Sequence, residues 1–146
     1  MTTPRSDFRS YALLALLGLM VAVLAGCGDS ETTYANSTLN ALERGKANGA
    51  RGDMQVLSTA ITGYVSQEGD LPQAADIHAL VDLLDPTYQR GVKRQDPWGT
   101  DYEVSIDDSD YTIRSAGADT EWNTEDDLMV ENGQLTKLPA GFTTKL

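Results

Sequence analysis

The chemistry-bearing residues of this chain are concentrated in one short segment. Five of the nine residues from Asp119 to Asp127 are carboxylates: Asp119, Glu121, Glu125, Asp126 and Asp127. Folded into a compact loop, they repel one another and their pKa values rise unless a cation neutralises them. Calcium suits such a loop, because it accepts 6–8 oxygen ligands in a flexible shell, main-chain carbonyls included. Magnesium suits it less, since it demands rigid octahedral geometry and keeps its waters. Zinc and copper ask for His or Cys, and none lies in the segment. The spacing is not that of an EF-hand. A register starting at Asp119 puts Thr124 where glycine is required and Val130 where the bidentate glutamate belongs. Composition equally suits a metal-free, solvated acidic loop, and both readings stand at this point.

The elements around the segment are legible as an α+β fold, a long N-terminal helix packed on a small antiparallel sheet. Apolar residues at Ala50, Met54, Leu57, Ile61 and Tyr64 recur at spacings of four and three, the seam of a helix expected over about residues 37–67. Ser37 is placed to cap its start and Gly69 to close its end. Arg51-Gly52-Asp53 matches an integrin-type tripeptide, but its place inside the helical pattern speaks against adhesion. After Leu71-Pro72 a second helix is expected over 74–84, with Ile77, Leu80, Val81 and Leu84 on one side and Asp85-Pro86 ending it. His78, the single histidine, falls in this helix and reads as a surface or packing residue. Residues 102–106 and 111–114 alternate around a polar turn, which predicts a hairpin. A second hairpin spans 128–138, turned at Asn132-Gly133, a pairing suited to a tight primed turn. The acidic segment connects the two hairpins. Trp98 reads as a core anchor over the sheet, whereas Trp122 fits either a cover for a metal or an exposed contact point.

A wider pattern surrounds the acidic segment. Asp96-Pro97-Trp98-Gly99 is followed by Tyr102 and a hairpin, then by Ser115-Ala116-Gly117-Ala118-Asp119 and an acidic triplet ending in Asp126-Asp127. With the helix end, Leu71-Pro72 and Lys93-Arg94, this pattern over about residues 46–128 resembles the carboxy-terminal domain of the type II secretion major pseudopilin. The resemblance implies a pseudopilin-head-like fold whose acidic loop binds one calcium. Carried over by position, the side-chain ligands are Asp119, Asp126 and Asp127, with carbonyls within 115–124 completing the shell. Two features depart from that family. Its members usually carry glycine where Thr120 and Asn123 stand. They also begin with a glycine cut site, a phenylalanine-led apolar helix and a glutamate, which this chain lacks.

A different amino-terminal signal takes that place. Arg5 and Arg9 precede a charge-free apolar run from Tyr11 to Gly26, the layout of a secretory signal. The stretch 12–25 is shorter than the roughly 20 residues that span a bilayer. It ends in Leu24-Ala25-Gly26-Cys27, which resembles the lipobox of bacterial lipoproteins. That resemblance implies cleavage before Cys27, acylation of its thiol and of the new amino terminus, and three segments: signal peptide 1–26, tether 27–36 and folded domain 37–146. Cys27 is the sole cysteine, so no disulfide forms and no thiol is left for catalysis. Gly28 after the cysteine favours the outer membrane or cell surface over the inner membrane.

Charge narrows the partners. Cleavage would remove Arg5, Arg9 and Asp7, taking the formal charge from −11 to one unit more negative. Such acidity argues against nucleic acid and against electrostatic docking on anionic lipid, leaving acyl chains as the membrane attachment. No Gly-x-Ser-x-Gly elbow is present, and the carboxylates share one loop instead of facing across a cleft, so the chain reads as a non-enzyme. The expected role is a calcium-stabilised structural or interaction domain on the envelope, in or beside a secretion apparatus, with a monomeric head. The alternatives are a free-standing binding lipoprotein on the same scaffold, or a hydrolase using the loop carboxylates.

Overall fold

A computed structural model describes residues 30–139, with side chains from 34 onward. The chain divides into two compact units, Met1–Asn40 and Ala41–Leu146. Of the first unit only helical residues 30–40 are described. Cys27 and the apolar run before it lie outside the described residues.

Helix α1 spans Ser30–Glu68, starting ahead of the expected Ser37 cap. Ser37 and Thr38 instead donate their hydroxyls to the Tyr34 carbonyl, each at 2.8 Å. Satisfied one turn back in this way, they sit as helix-interior residues. The far end closes as expected: Gly69, at φ +91°, donates its N–H to the Val65 carbonyl at 2.9 Å. Helix α2 spans Ile77–Leu84, shorter than the expected 74–84, because the Asp76 carboxylate accepts the Ala79 N–H and sets the start there.

The sheet is an antiparallel meander in chain order: β1 (Glu103–Ile106), β2 (Tyr111–Ser115), β3 (Leu128–Glu131) and β4 (Gln134–Lys137). Both expected hairpins form. Ile106 pairs with Tyr111 in the first, and Glu131 with Gln134 in the second. Asn132 and Gly133 take φ of +49° and +79°, the two left-handed positions of a primed turn. One irregularity interrupts the ladder. Val130 pairs with Leu135 but Met129 pairs with Lys137, so Thr136 is an extra residue in β4. Such a bulge reverses the side on which the following side chain falls.

The core joins the α1 seam (Ala50, Met54, Leu57, Ile61) to the apolar side of α2 and to Ile113, Leu128 and Val130 of the central strands. Leu57 is fully buried, so truncation to alanine costs about 2–5 kcal/mol. Tyr64 stops short of full burial and packs its ring 5.1 Å from that of Tyr88. The Arg-Gly-Asp tripeptide is helical, and Asp53 is tied to Lys93 at 3.0 Å. Arg44 and Arg51 are exposed, whereas Lys46 and Asp53 are half-buried. Among the described residues no helix is long and apolar enough to cross a membrane.

Candidate functional site

The loop of residues 116–127 leaves the sheet at Ser115 and re-enters it at Leu128, and these two residues pair with each other across β2 and β3. Its entry is tied to the Asp96-Pro97-Trp98-Gly99 turn. Asp96 is buried, and its Oδ1 accepts the N–H groups of Trp98 at 3.0 Å and Thr100 at 2.9 Å. Its Oδ2 accepts the Ser115 hydroxyl at 2.7 Å. A single carboxylate thus folds the turn and fixes the first strand end of the loop, which explains why this acid stands there. Trp98 is half-buried against the core but reaches α1: its indole N–H donates to Glu43 at 2.7 Å.

Inside the loop the three aspartates occupy different positions. Asp126 Oδ2 accepts the N–H groups of Ala118 at 2.6 Å and Asp119 at 3.0 Å, and its Oδ1 accepts the Thr124 hydroxyl at 2.6 Å. Burial pushes its carboxyl up, but the Thr124, Asp119 and Ala118 donors outweigh that and hold it below the usual carboxylate range. Asp127 is buried, with a side chain 2% exposed. Its Oδ2 accepts from the Asn123 N–H at 3.0 Å and the Arg114 guanidinium at 3.2 Å, and Lys137 Nζ lies 3.3 Å away. Burial again raises its pKa, and Asn123, Arg114 and Lys137 together more than reverse the effect. Asp119 is exposed and accepts the Glu121 N–H at 2.8 Å. Asp126 and Asp127 are therefore drawn together around Thr124, and Asp119 joins them through its own N–H on Asp126.

The loop's backbone is tightly constrained. Gly117 has φ +71°, and a Cβ there would stand 2.4 Å from the Asp126 carbonyl oxygen. Thr120 and Asn123, the two positions that depart from glycine, hold φ of +61° and +70°. The chain keeps left-handed geometry at both, with a β-branched residue at one of them.

Sequence reading missed two basic residues. Arg114 links Glu103, Asn123 and Asp127, and its guanidinium carbon lies 5.2 Å from the centroid of the Trp122 ring. Trp122, half-buried, covers that guanidinium. Lys137 donates to the Thr124 carbonyl as well as facing Asp127. The register shows how they meet. Glu103, Arg114, Met129 and Lys137 form one cross-strand row, and the β4 bulge is what brings Lys137 into it. Arg114, Asn123, Asp127, Met129 and Lys137 line a shallow cleft of about 420 Å³ beside the loop. No composition signal marks Lys137; only the bulge brings it to the loop.

The donor chemistry fits a hard cation, since every acceptor around Thr124 is oxygen. Among the described residues no group of three or more His, Cys, Asp or Glu side chains is arranged to hold a metal. A metal at this loop would draw on main-chain carbonyls as well as on carboxylates. His78 is no candidate ligand: it is exposed and lies 2.9 Å from Asp101.

The model of the type II secretion system (T2SS), protein G family matches residues 37–133, more than half of the chain. The chain belongs to that family. The match takes in α1 from Ser37, the Asp96-Pro97-Trp98-Gly99 turn, the acidic loop and the sheet as far as Gly133. Neither the curated proteins nor the solved structures gave a match. As in the expected protein G head, a long helix and a four-stranded antiparallel sheet make up the fold. Lys137 lies beyond the matched segment.

Proposed function

We propose that this protein is a lipid-anchored member of the protein G family whose head is stabilised by calcium. Its role is structural, holding or docking other envelope proteins in or beside a secretion apparatus. The observation that carries this reading is the family match over the acidic loop, in which Thr120 and Asn123 hold the left-handed conformations that glycine most readily adopts. Asp119, Asp126 and Asp127 would hold the ion, with carbonyls of the 115–124 segment. The ion supplies charge neutralisation and cross-linking of the loop. The two carboxylates around Thr124 are already held ionised by their donors, as ligands must be.

Cys27 supplies the anchor in this reading. Each buried methylene of an acyl chain adds about 0.8 kcal/mol of membrane affinity, so two or more chains retain the protein stably. With the apolar amino-terminal segment cleaved, the head lacks the helix that packs pseudopilin filaments, and it remains a monomer facing outside the cytoplasm. Exposed Arg44 and Arg51 on α1 agree with this.

Calcium is tested by melting the protein in calcium and in excess chelator. At 100-fold excess over its dissociation constant the ion adds about 2.7 kcal/mol, and Asp119→Ala and Asp126→Ala remove the difference. Coincident curves for the unsubstituted protein exclude calcium. The anchor is tested by mass spectrometry: a mature chain starting at Cys27 with acyl mass supports it, and one starting at Met1 excludes it.

A further inference from the structure

The acidic loop already contains a cation. Lys137 Nζ donates to the Thr124 carbonyl and lies 3.3 Å from Asp127 Oδ2. These are the two kinds of oxygen, one main-chain and one carboxylate, that a calcium ion would take from this loop. We infer that Lys137 is the loop's tethered cation and competes with calcium for the Thr124 carbonyl and the Asp127 carboxylate, setting the metal affinity of the site. The inference rests on the calcium reading for the competition, and on the geometry alone for the lysine's place.

Three observations separate this contact from an ordinary surface ion pair, which contributes little because water competes for both partners. First, the Asp127 side chain is 2% exposed against 36% for Lys137, so the acceptor is desolvated while the ammonium keeps one side in water. Second, the ammonium also takes a main-chain carbonyl inside the loop, so it binds the loop's path as well as its charge. Third, the β4 bulge at Thr136 puts Lys137 opposite Met129 and in line with Arg114. A regular ladder would have placed Thr136 there and turned Lys137 to the other face. Arg114 does not serve in the same way: its guanidinium is shared among the side chains of Glu103, Asn123 and Asp127 beside Trp122, and among the described residues no bond joins it to a main-chain carbonyl of the loop.

A divalent ion that draws on Thr124 and Asp127 must first displace this ammonium, or bind beside it against its charge. Either way the lysine weakens metal binding and supports the metal-free loop. A head built so keeps its loop shaped in low calcium and responds only at higher calcium.

The test is calorimetric titration of calcium chloride into the metal-stripped full chain, with melting in chelator alongside, for the unsubstituted protein, Lys137→Met and Lys137→Arg. Lys137→Met should bind calcium at least roughly tenfold tighter, the effect of freeing one charged hydrogen-bonding group, and should melt lower in chelator. Lys137→Arg, which keeps the charge, should stay near the unsubstituted protein in both. Unchanged calcium affinity in Lys137→Met, or an unchanged melting point in chelator, overturns the inference. Calcium binding by none of the three, with Lys137→Met still less stable in chelator, removes the calcium reading and keeps the lysine as the loop's cation. Should Lys137→Met fail to fold in chelator, recovery of its circular dichroism on adding calcium supports the competition, and no recovery overturns it.

Discussion

Replacing Gly117 by alanine places a single methyl group where the loop has no room for it. The residue holds φ +71°, and the new Cβ would stand 2.4 Å from the Asp126 carbonyl oxygen and 2.6 Å from its Oδ2. Real Cβ contacts essentially never fall below 3.0 Å, so the backbone at Asp126 must retreat by at least about half an ångström. The carboxylate cannot simply swing aside, because its Oδ2 is held by the Ala118 and Asp119 N–H groups. Left-handed backbone costs a residue with a Cβ about 1–2 kcal/mol. Forced overpacking adds about 1–3 kcal/mol. The sum, about 2–5 kcal/mol, is a large part of the 5–15 kcal/mol that typically holds a domain folded. Gly91→Ala is the matched control, since Gly91 has φ +75° and nothing within 4 Å of a built Cβ. Urea unfolding followed by circular dichroism reads both variants, with equal slopes assuring that midpoints compare. Gly117→Ala should lose more than Gly91→Ala by the overpacking alone. Equal losses would refute the close approach of Gly117 to Asp126.

Thr120→Gly should raise stability by up to about 1 kcal/mol, since it relieves a β-branched residue at φ +61° and Thr120 is exposed; a lower melting point would count against the left-handed assignment. Asp96→Ala should cost about 2–4 kcal/mol, because two main-chain N–H groups and the Ser115 hydroxyl lose a buried charged acceptor. Asp96→Asn should cost less, and equal losses in the two variants would show that the turn does not depend on the Oδ1 acceptor. Burial, with Asp53 and Asp96 nearby, pushes the Tyr102 phenol well above its ordinary value. The folded state therefore holds that proton where the unfolded chain gives it up, so the contribution is complete below about pH 10 and fades as pH rises further. Alkaline unfolding curves should flatten in Tyr102→Phe, and an unchanged slope would sink the assignment.

Elements governed by local pattern were legible in the chain. The α1 seam from Ala50 to Ile61 and the apolar side of α2 follow helical spacing and are buried as expected. Asn132-Gly133 specified its own turn through backbone preference. Helix starts were less legible, because a serine serves equally as a cap or as an interior residue bonded one turn back, and Ser37 does the second. The acidic residues of the loop were visible by composition, but their partners were not. Asp127 depends on Arg114 and Lys137, thirteen residues before it and ten after. Only the sheet register and one extra residue in β4 bring the two together. The ring of Trp98 packs against the core as its position after Pro97 suggests, but its indole nitrogen finds an acceptor on α1, a choice that no local pattern encodes.

The pairing of Ser115 with Leu128 gives the loop a further property. Both residues are fully buried, and they close the 116–127 segment into a ring hung from the two central strands. Whatever the ring contains, its two feet stay at one fixed spacing, and the register of the sheet does not pass through it. A segment mounted in this way behaves as an interchangeable cartridge. Its acids and its one glycine, Gly117, can be exchanged over time, or in the laboratory, while the frame that holds its counter-cations Arg114 and Lys137 keeps its shape.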